Sequence, residues 1–373
     1  MPVEFTNDQK KAIDLRNSNI LVSAAAGSGK TAVLVERIVK LCCLDPEPVD
    51  IDRLLVVTFT RAAAAQMRER VSKRIRELLT EHPENAHIRR QYSLVHRAQI
   101  TTIDSFCLSV LQNHFQEIGI DPGFRICDDA EGKLLKEDVL QEVMERAYAR
   151  KDPAFLRAVE QFGNAQGDAP LQEAVLRLFE YSESFPWPDR FLEECLDYYE
   201  IETVPELQGS PMMDELLWYL DGLVDSLAKE YHPLVDFCYR KDGPQAYTDR
   251  MEQELEAMER FTQELSAENL RKEMCLLLDI FKERMPSQKK TPELDEELKE
   301  QVKAGHDRAR KSLETLWKDF FVYSYEEQVE MIRYQRPAVE GLINLTRDFS
   351  KAFAEKKREK HIIDFSDQEH FAL

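Results

Sequence analysis

Glycine is scarce in this chain, at 12 of 373 residues. With 32% charged residues and abundant Leu, Glu, Lys, Arg and Ala, that scarcity points to a mostly helical protein. No run of 18 apolar residues exists, so no segment reads as a membrane-spanning helix. The polar start, Met1 to Lys11, does not read as a signal peptide. The expectation is a cytoplasmic chain with no membrane partner. The seven cysteines (Cys42, Cys43, Cys107, Cys127, Cys195, Cys238, Cys275) include no C-x-x-C pair. That spacing argues against a metal site or disulfide framework and for scattered, mostly buried thiols.

Positive charge is also in short supply, since the chain carries a net charge of −20. The deficit is uneven. Residues 1–125 hold 17 Lys and Arg against 15 Asp and Glu, whereas the remaining 248 hold 33 against 55. A basic surface facing an anionic partner therefore remains open to the first third of the chain. At this length two or three domains are expected.

What is present is concentrated in Asn19 to Arg37, N-I-L-V-S-A-A-A-G-S-G-K-T-A-V-L-V-E-R. Ile20, Leu21 and Val22 read as a short strand, Ala24, Ala25, Ala26, Gly27, Ser28 and Gly29 as a small-residue turn, and Lys30-Thr31 as the opening of an amphipathic helix. Small residues let a backbone curl round a polyphosphate so that N–H groups and a helix N-terminus face its charge. Lys30 would reach the β- and γ-phosphates, and the Thr31 hydroxyl would take one Mg²⁺ position. Ala24 stands where the general phosphate-loop pattern has its first glycine. Upstream, Thr6 and Gln9 have the spacing of a capping box. The Gln9 amide could instead pair with a base edge, because it offers a donor and an acceptor together.

Strand–helix units continue downstream. Arg53 to Phe59 is a continuous apolar run suited to a buried parallel strand, and it leads through Thr58-Phe59-Thr60 into a helix over Arg61 to Leu79. Ala63, Met67, Val71, Ile75 and Leu78 would form the buried face of that helix, with Arg68, Arg70, Lys73, Arg74 and Arg76 read as solvated charge. Gln99 to Ile103 reads as another strand, followed through Thr102 and Ser105 by a helix over Phe106 to Phe115. Polar and aromatic side chains at the carboxyl ends of parallel strands sit where ligands bind. This order predicts an α/β parallel sheet of the P-loop NTPase type over 1–125.

From 126 to 345 the pattern is helix after helix, with no glycine-rich loop, strand alternation or internal repeat, and reads as a large all-helical insertion. Trp187, Trp218 and Trp317 are expected in its core or partly buried. Residues 346–373 read as a return towards the first domain. The chain stops within an amphipathic pattern without a capping signal, which reads as truncation.

Four stretches coincide in order: Gln9, then A-A-A-G-S-G-K-T, then L-V-V-T-F-T-R-A-A-A-A-Q-M, then T-T-I-D-S-F. Together they resemble the UvrD/RecB-like branch of superfamily 1 DNA helicases, whose phosphate loop typically reads A-x-x-G-x-G-K-T. D-P-G-F-R-I-C-D at Asp121 to Asp128 and I-D-F-S-D near the end look most like the AddA (RexA) family of helicase–nuclease proteins. The resemblance implies a RecA-like motor domain 1A with a 1B-like insertion, ATP and Mg²⁺ as cofactors, and DNA, as single strand and duplex end, as partner. It further implies 3′–5′ translocation, a role in double-strand break repair, and a heterodimer with an AddB-like (RexB-like) partner. By position, Gln9 corresponds to the adenine-reading glutamine, and Ala24 to Thr31 to the phosphate and Mg²⁺ site. Thr58, Phe59 and Thr60, then Thr102 and Ser105, correspond to DNA-facing motifs.

The family also needs a strand ending in D-E-x-Q, whose Asp holds Mg²⁺ and whose Glu activates the attacking water. Asp214-Glu215 and Asp295-Glu296 sit in helical patterns, and Asp364 follows only Ile362-Ile363, too short a run for a buried strand. This chain alone is therefore not expected to turn over ATP at a helicase's rate, and the nuclease site is expected outside it. Two other readings stay open: a nucleotide- or DNA-binding module without turnover, and an unrelated P-loop ATPase or kinase.

Overall fold

The computed structural model describes residues 4–25, 27–165 and 167–373. It divides into two compact units, Met1–Asp138 with Phe353–Leu373, and Val139–Ala352. The second unit is thus continuous in sequence and the first is not.

In the first unit the order is α1 (Asn7–Asp14), α2 (Lys30–Val39), β1 (Leu55–Thr58), α3 (Arg61–Glu81), α4 (Ala86–Leu94), β2 (Gln99–Thr102), α5 (Ile103–His114) and β3 (Arg125–Ile126). The long helix α6 (Asp129–Arg150) then carries the chain into the second unit. β1 and β2 pair in parallel, with Leu55 opposite Gln99 and Thr58 opposite Thr102. The carboxyl ends of both strands therefore finish level with each other. α2 and α3 bury Val35, Ile38, Val39, Met67, Val71 and Ile75 against Ile88, Val95 and Ile100. Each such side chain, fully buried, contributes about 1.5–3 kcal/mol. The stripe on α3 starts at Ala64, which is buried, and the expected Ala63 is exposed. β1 itself is not buried on both faces, since Leu55 and Val57 are exposed while Val56 packs on the core.

The short apolar run Ile20-Leu21-Val22 is not a strand. Leu21 is 97% exposed, and no residue of the run pairs with a neighbouring strand. A parallel strand needs a partner on at least one edge to satisfy its N–H and C=O groups. Among the described residues, the strands are confined to the β1–β2 pair and a second pair. The sheet is accordingly smaller than the strand–helix pattern predicts.

The second unit contains α7 (Pro153–Phe162), α8 (Ala169–Ser182), α9 (Pro188–Asp197), α10 (Val204–Gln208), α11 (Pro211–Tyr239), α12 (Thr248–Glu264), α13 (Leu270–Lys282) and α14 (Glu296–Phe320). Its core includes Leu220, Val224, Tyr231, Met258, Phe261 and Phe281. Within it lies a buried polar cluster. Glu254 accepts from Arg250 Nε at 2.7 Å and from the Tyr231 hydroxyl, and its Oε2 lies 3.0 Å from His306 Nδ1. Trp317 is half-buried with Arg271 over its ring, but Trp187 and Trp218 are exposed rather than core. Both sit where helices present their outer faces, at the N-cap of α9 and on α11.

The chain returns along α15 (Tyr325–Glu359) to β4 (Ile362–Ile363) and α16 (Phe365–Ala372). β4 pairs in parallel with β3, Arg125 opposite Ile362, and both isoleucines of β4 are buried. The run judged too short for a buried strand is therefore one. The segment that leaves the first unit and the segment that re-enters it supply its two partners.

Candidate functional site

The loop between Ser23 and Lys30 is shaped by two glycines in the left-handed region, Gly27 at φ +81° and Gly29 at φ +83°. A side chain at either position would strain the backbone, which is the reason for glycine there. Gly29 is the N-cap of α2 and offers no side-chain cap, and the first turn of α2 holds no acidic residue. Among the described residues, no side chain caps the first N–H groups of the helix, which face the loop. Lys30 Nζ donates to the Ala24 carbonyl and, at 3.1 Å, to the Ala25 carbonyl. Thr31 is the second residue of α2 and is exposed, as are Ala24, Ala25, Gly27, Ser28, Gly29 and Lys30. Ala26 lies outside the described residues.

Gln9 meets this loop. Its Oε1 accepts from Thr6 N at 2.9 Å, and Thr6 Oγ1 accepts from Gln9 N, so the capping box forms. Its Nε2 donates to the Ser28 carbonyl at 3.0 Å. One amide group therefore caps α1 and ties that helix to the phosphate loop. A second N–H and further lone pairs remain on the amide.

The fit of this loop to a nucleotide rests on its donor set. Free helix N–H groups, two positive-φ glycines and a lysine with no carboxylate within ion-pair distance among the described residues suit a polyphosphate. For Mg²⁺ the described residues supply the Thr31 hydroxyl, a fit to an ion that keeps most of its ligands as water and phosphate oxygen.

Residues that the sequence did not single out hold this geometry. Arg37, in the last turn of α2, donates to the Ala12 and Leu15 carbonyls, each at 2.7 Å, at the end of α1. Arg16 donates to Asp45 at 2.7 and 3.1 Å and to the Ile13 carbonyl at 2.6 Å. Lys40 reaches Asp14 at 2.6 Å. Hydrogen bonding to Arg16 holds the Asp45 carboxyl below its ordinary range. Burial, with Arg16 nearby, lowers the Arg37 guanidinium. Basic side chains on the carbonyl end of α1 are where the helix dipole favours them. Only the long-range partners, 22 to 29 residues away, would have revealed the role, and a single sequence does not display them.

The second group of expected site residues lies at the carboxyl edge of β1 and β2. Thr58 Oγ1 donates to the Thr60 carbonyl at 3.0 Å. Thr60 caps α3 by accepting from Ala63 N at 3.1 Å. Thr102 caps α5 by accepting from Ser105 N at 3.2 Å, and its hydroxyl donates to Ser105 Oγ at 2.8 Å. Thr102 is buried and Ser105 half-buried, so both have structural work at the helix mouth. Phe59, between the strand and the cap, is 95% exposed. The strand register brings these two motifs side by side.

The carboxylates dismissed on sequence grounds are engaged in helix starts. Asp214 lies in the first turn of α11 and Asp295 caps α14. Asp364 caps α16, and the buried Lys357 lies 2.8 Å from it and 2.7 Å from Asp367. Burial opposes the charge on Lys357, but Asp367 and Asp364 outweigh it and raise its ammonium above the ordinary value.

The UvrD/REP helicase N-terminal domain matches residues 5–373. Curated relatives include the A subunit of the ATP-dependent helicase/nuclease of Lachnoclostridium phytofermentans, 40% identical over 99% of this chain and 27% of the relative. Proteins of the same name from Clostridium perfringens strain 13 and Thermoanaerobacter pseudethanolicus are each 38% identical over 100% of this chain, which covers 29% and 30% of their lengths. The chain thus spans less than a third of these relatives. With its glycine-shaped loop at the mouth of α2 and a match from residue 5 to residue 373, the chain belongs to the UvrD/REP helicase N-terminal domain family.

Proposed function

We propose that this chain is the N-terminal motor segment of an ATP-dependent DNA helicase/nuclease that acts in double-strand break repair by recombination. ATP with Mg²⁺ binds at Ala24–Thr31, with Gln9 reading adenine, and single-stranded DNA lies along the β1–β2 edge against Thr58, Phe59, Thr60, Thr102 and Ser105. Residues 1–125 form the first part of a RecA-like motor domain, 126–345 a helical insertion, and 346–373 the return. The longer protein couples hydrolysis to 3′–5′ translocation and unwinding of duplex ends, in the cytoplasm, as a heterodimer with an AddB-like partner.

The observation that carries this reading is Gln9 hydrogen-bonded to the phosphate loop, 3.0 Å from Nε2 to the Ser28 carbonyl. That contact holds the Gln9 amide against the loop, which supports a base-reading role beside a polyphosphate. When bound, ATP with Mg²⁺ supplies the phosphoanhydride whose hydrolysis drives the motor. The residues of this chain bind and orient it: Lys30 leaves the Ala24 and Ala25 carbonyls for phosphate oxygens, and the α2 N-terminus faces the same charge. Among the described residues, no strand beside this loop ends in a carboxylate free to activate water. The chain by itself therefore binds nucleotide without helicase-rate turnover.

The test is nucleotide binding by a fluorescent ATP analogue together with Mg²⁺-ATP hydrolysis, with and without single-stranded DNA, and Lys30→Ala as control. Binding lost in Lys30→Ala, with no turnover above that control, is expected. DNA-stimulated turnover that Lys30→Ala abolishes would show that a carboxylate of this chain activates water. Undiminished nucleotide binding in Lys30→Ala would sink the reading.

A further inference from the structure

Among the arginines of α3, Arg74 faces Glu36 at 3.0 Å, and Arg76 donates to the Tyr92 hydroxyl at 2.9 Å with the ring beneath it. Arg68 is different. It is half-buried, its Nη2 donates to the Ile100 carbonyl of β2 at 2.8 Å, and its buried Nε meets no hydrogen-bond partner. No carboxylate lies within ion-pair distance of it among the described residues. An arginine held against a sheet without a counter-charge is unusual for a purely structural cation, because burying the charge costs free energy that no anion offsets.

Arg68 lines an open cleft of about 690 Å³ between α3 and the segment from α4 to the turn Val95–Arg97. Ala65, Ser72, Tyr92, Ser93 and His96 line it too. Glu69 is also at the cleft but forms no ion pair with Arg68. Positions 61, 65, 68 and 72 are spaced to share one helical face. That face begins at Arg61, next to the Thr60 cap and the exposed Phe59, and reaches Arg68 after seven residues, about 10 Å along the axis. Ala65 keeps the path between them low.

We propose that this cleft is a phosphodiester subsite for single-stranded DNA that continues beyond Phe59. Arg68 supplies the fixed cation, and Ser72 and His96 supply hydrogen bonds, while the Ser93 hydroxyl already donates to the Arg90 carbonyl at 2.7 Å. The inference rests on the reading that the β1–β2 edge holds DNA. A guanidinium already anchored through Nη2 to a strand carbonyl, with its Nε buried, loses little further freedom when an Nη group meets a phosphate. Arg70 and Lys73, which lie outside the cleft lining on α3, remain solvated charge.

The experiment measures binding of the full chain to a fluorescent oligothymidylate across a salt series, for the wild type, Arg68→Gln, His96→Glu and Phe59→Ala. Arg68→Gln is expected to weaken binding about two- to fivefold. It should also flatten the slope of log K against log salt by about 0.7, the loss of one phosphate contact on a single strand. His96→Glu, at an exposed position, should weaken binding in the same sense; it keeps the test decisive if Arg68→Gln melts early. Weakened binding in Phe59→Ala alone, with unchanged slopes in the other two, would overturn the cleft and leave the edge intact. Undiminished binding in all three would overturn the DNA reading itself, and the subsite with it.

Discussion

Gln9 Nε2 lies 3.0 Å from the Ser28 carbonyl while Gln9 Oε1 accepts from Thr6 N, so the two ends of one amide serve two different elements. This separates the two roles by chemistry. Gln9→Glu keeps an acceptor for Thr6 N, as a capping box permits, but cannot donate to Ser28 or to a base. It should melt close to the wild type and lose preference for ATP over GTP. Gln9→Ala should lose both, with about 1 kcal/mol of stability. Paired melting curves and nucleotide competition check this; a Gln9→Glu variant with unaltered ATP preference would remove Gln9 from base reading.

Phe59, 95% exposed, has little to contribute to the folded state. Phe59→Ala should change stability by no more than about 0.5 kcal/mol. If a base stacks on it, single-stranded DNA affinity should fall by about 1–3 kcal/mol. Equilibrium anisotropy beside urea unfolding gives both numbers from one preparation.

The Arg16–Asp45 pair makes stability depend on acid. Its hydrogen bond to Arg16 lowers the Asp45 carboxyl, so the pair's contribution is complete above the unfolded Asp value of about 3.9 and is lost as pH falls through the lower folded value. Asp45→Asn should be less stable than the wild type at pH 6, and the difference should shrink as the pH approaches 3. Urea midpoints at several pH values test it. A difference that stays constant over that range would assign Asp45 no part in the acid response.

Glu254 is fully buried and receives Arg250, Tyr231 and His306. Glu254→Leu leaves those three groups without their shared acceptor, although Arg250 keeps Glu283 at 2.8 Å. A loss of about 3–5 kcal/mol is expected, as for other broken buried pairs. Glu254→Gln retains acceptor capacity and should lose less. Hydrogen exchange over 231–306 would localise the effect; unchanged protection in Glu254→Leu would mean that the cluster does not hold these helices.

Much of the first unit was legible because its signals are local. Thr6 with Gln9 announces a helix start by spacing alone, the alanine run after Thr60 announces a helix, and the apolar run before Thr58 announces a strand. The capping roles of Thr60 and Thr102, and the start of α5 at Ile103 rather than Phe106, come only from the structure. Ile20-Leu21-Val22 misled because an apolar run carries the propensity of a strand but not its partner, and pairing is a property of two segments. Ile362-Ile363 misled the other way: two residues suffice when Arg125 and Ile126 wait opposite them, 237 positions earlier in register. Arg37 and Arg68 were unreadable for the same reason. Each looks like solvated helix charge until a distant carbonyl is placed against it.

Lys30 rests on the carbonyls of Ala24 and Ala25, so the loop closes upon its own cation. If the loop takes nucleotide as proposed, an arriving phosphate oxygen has to displace these internal ligands, and a departing one leaves them ready to return. Entry and exit would then be ligand substitutions at a single ammonium, with the backbone as a standing competitor for it.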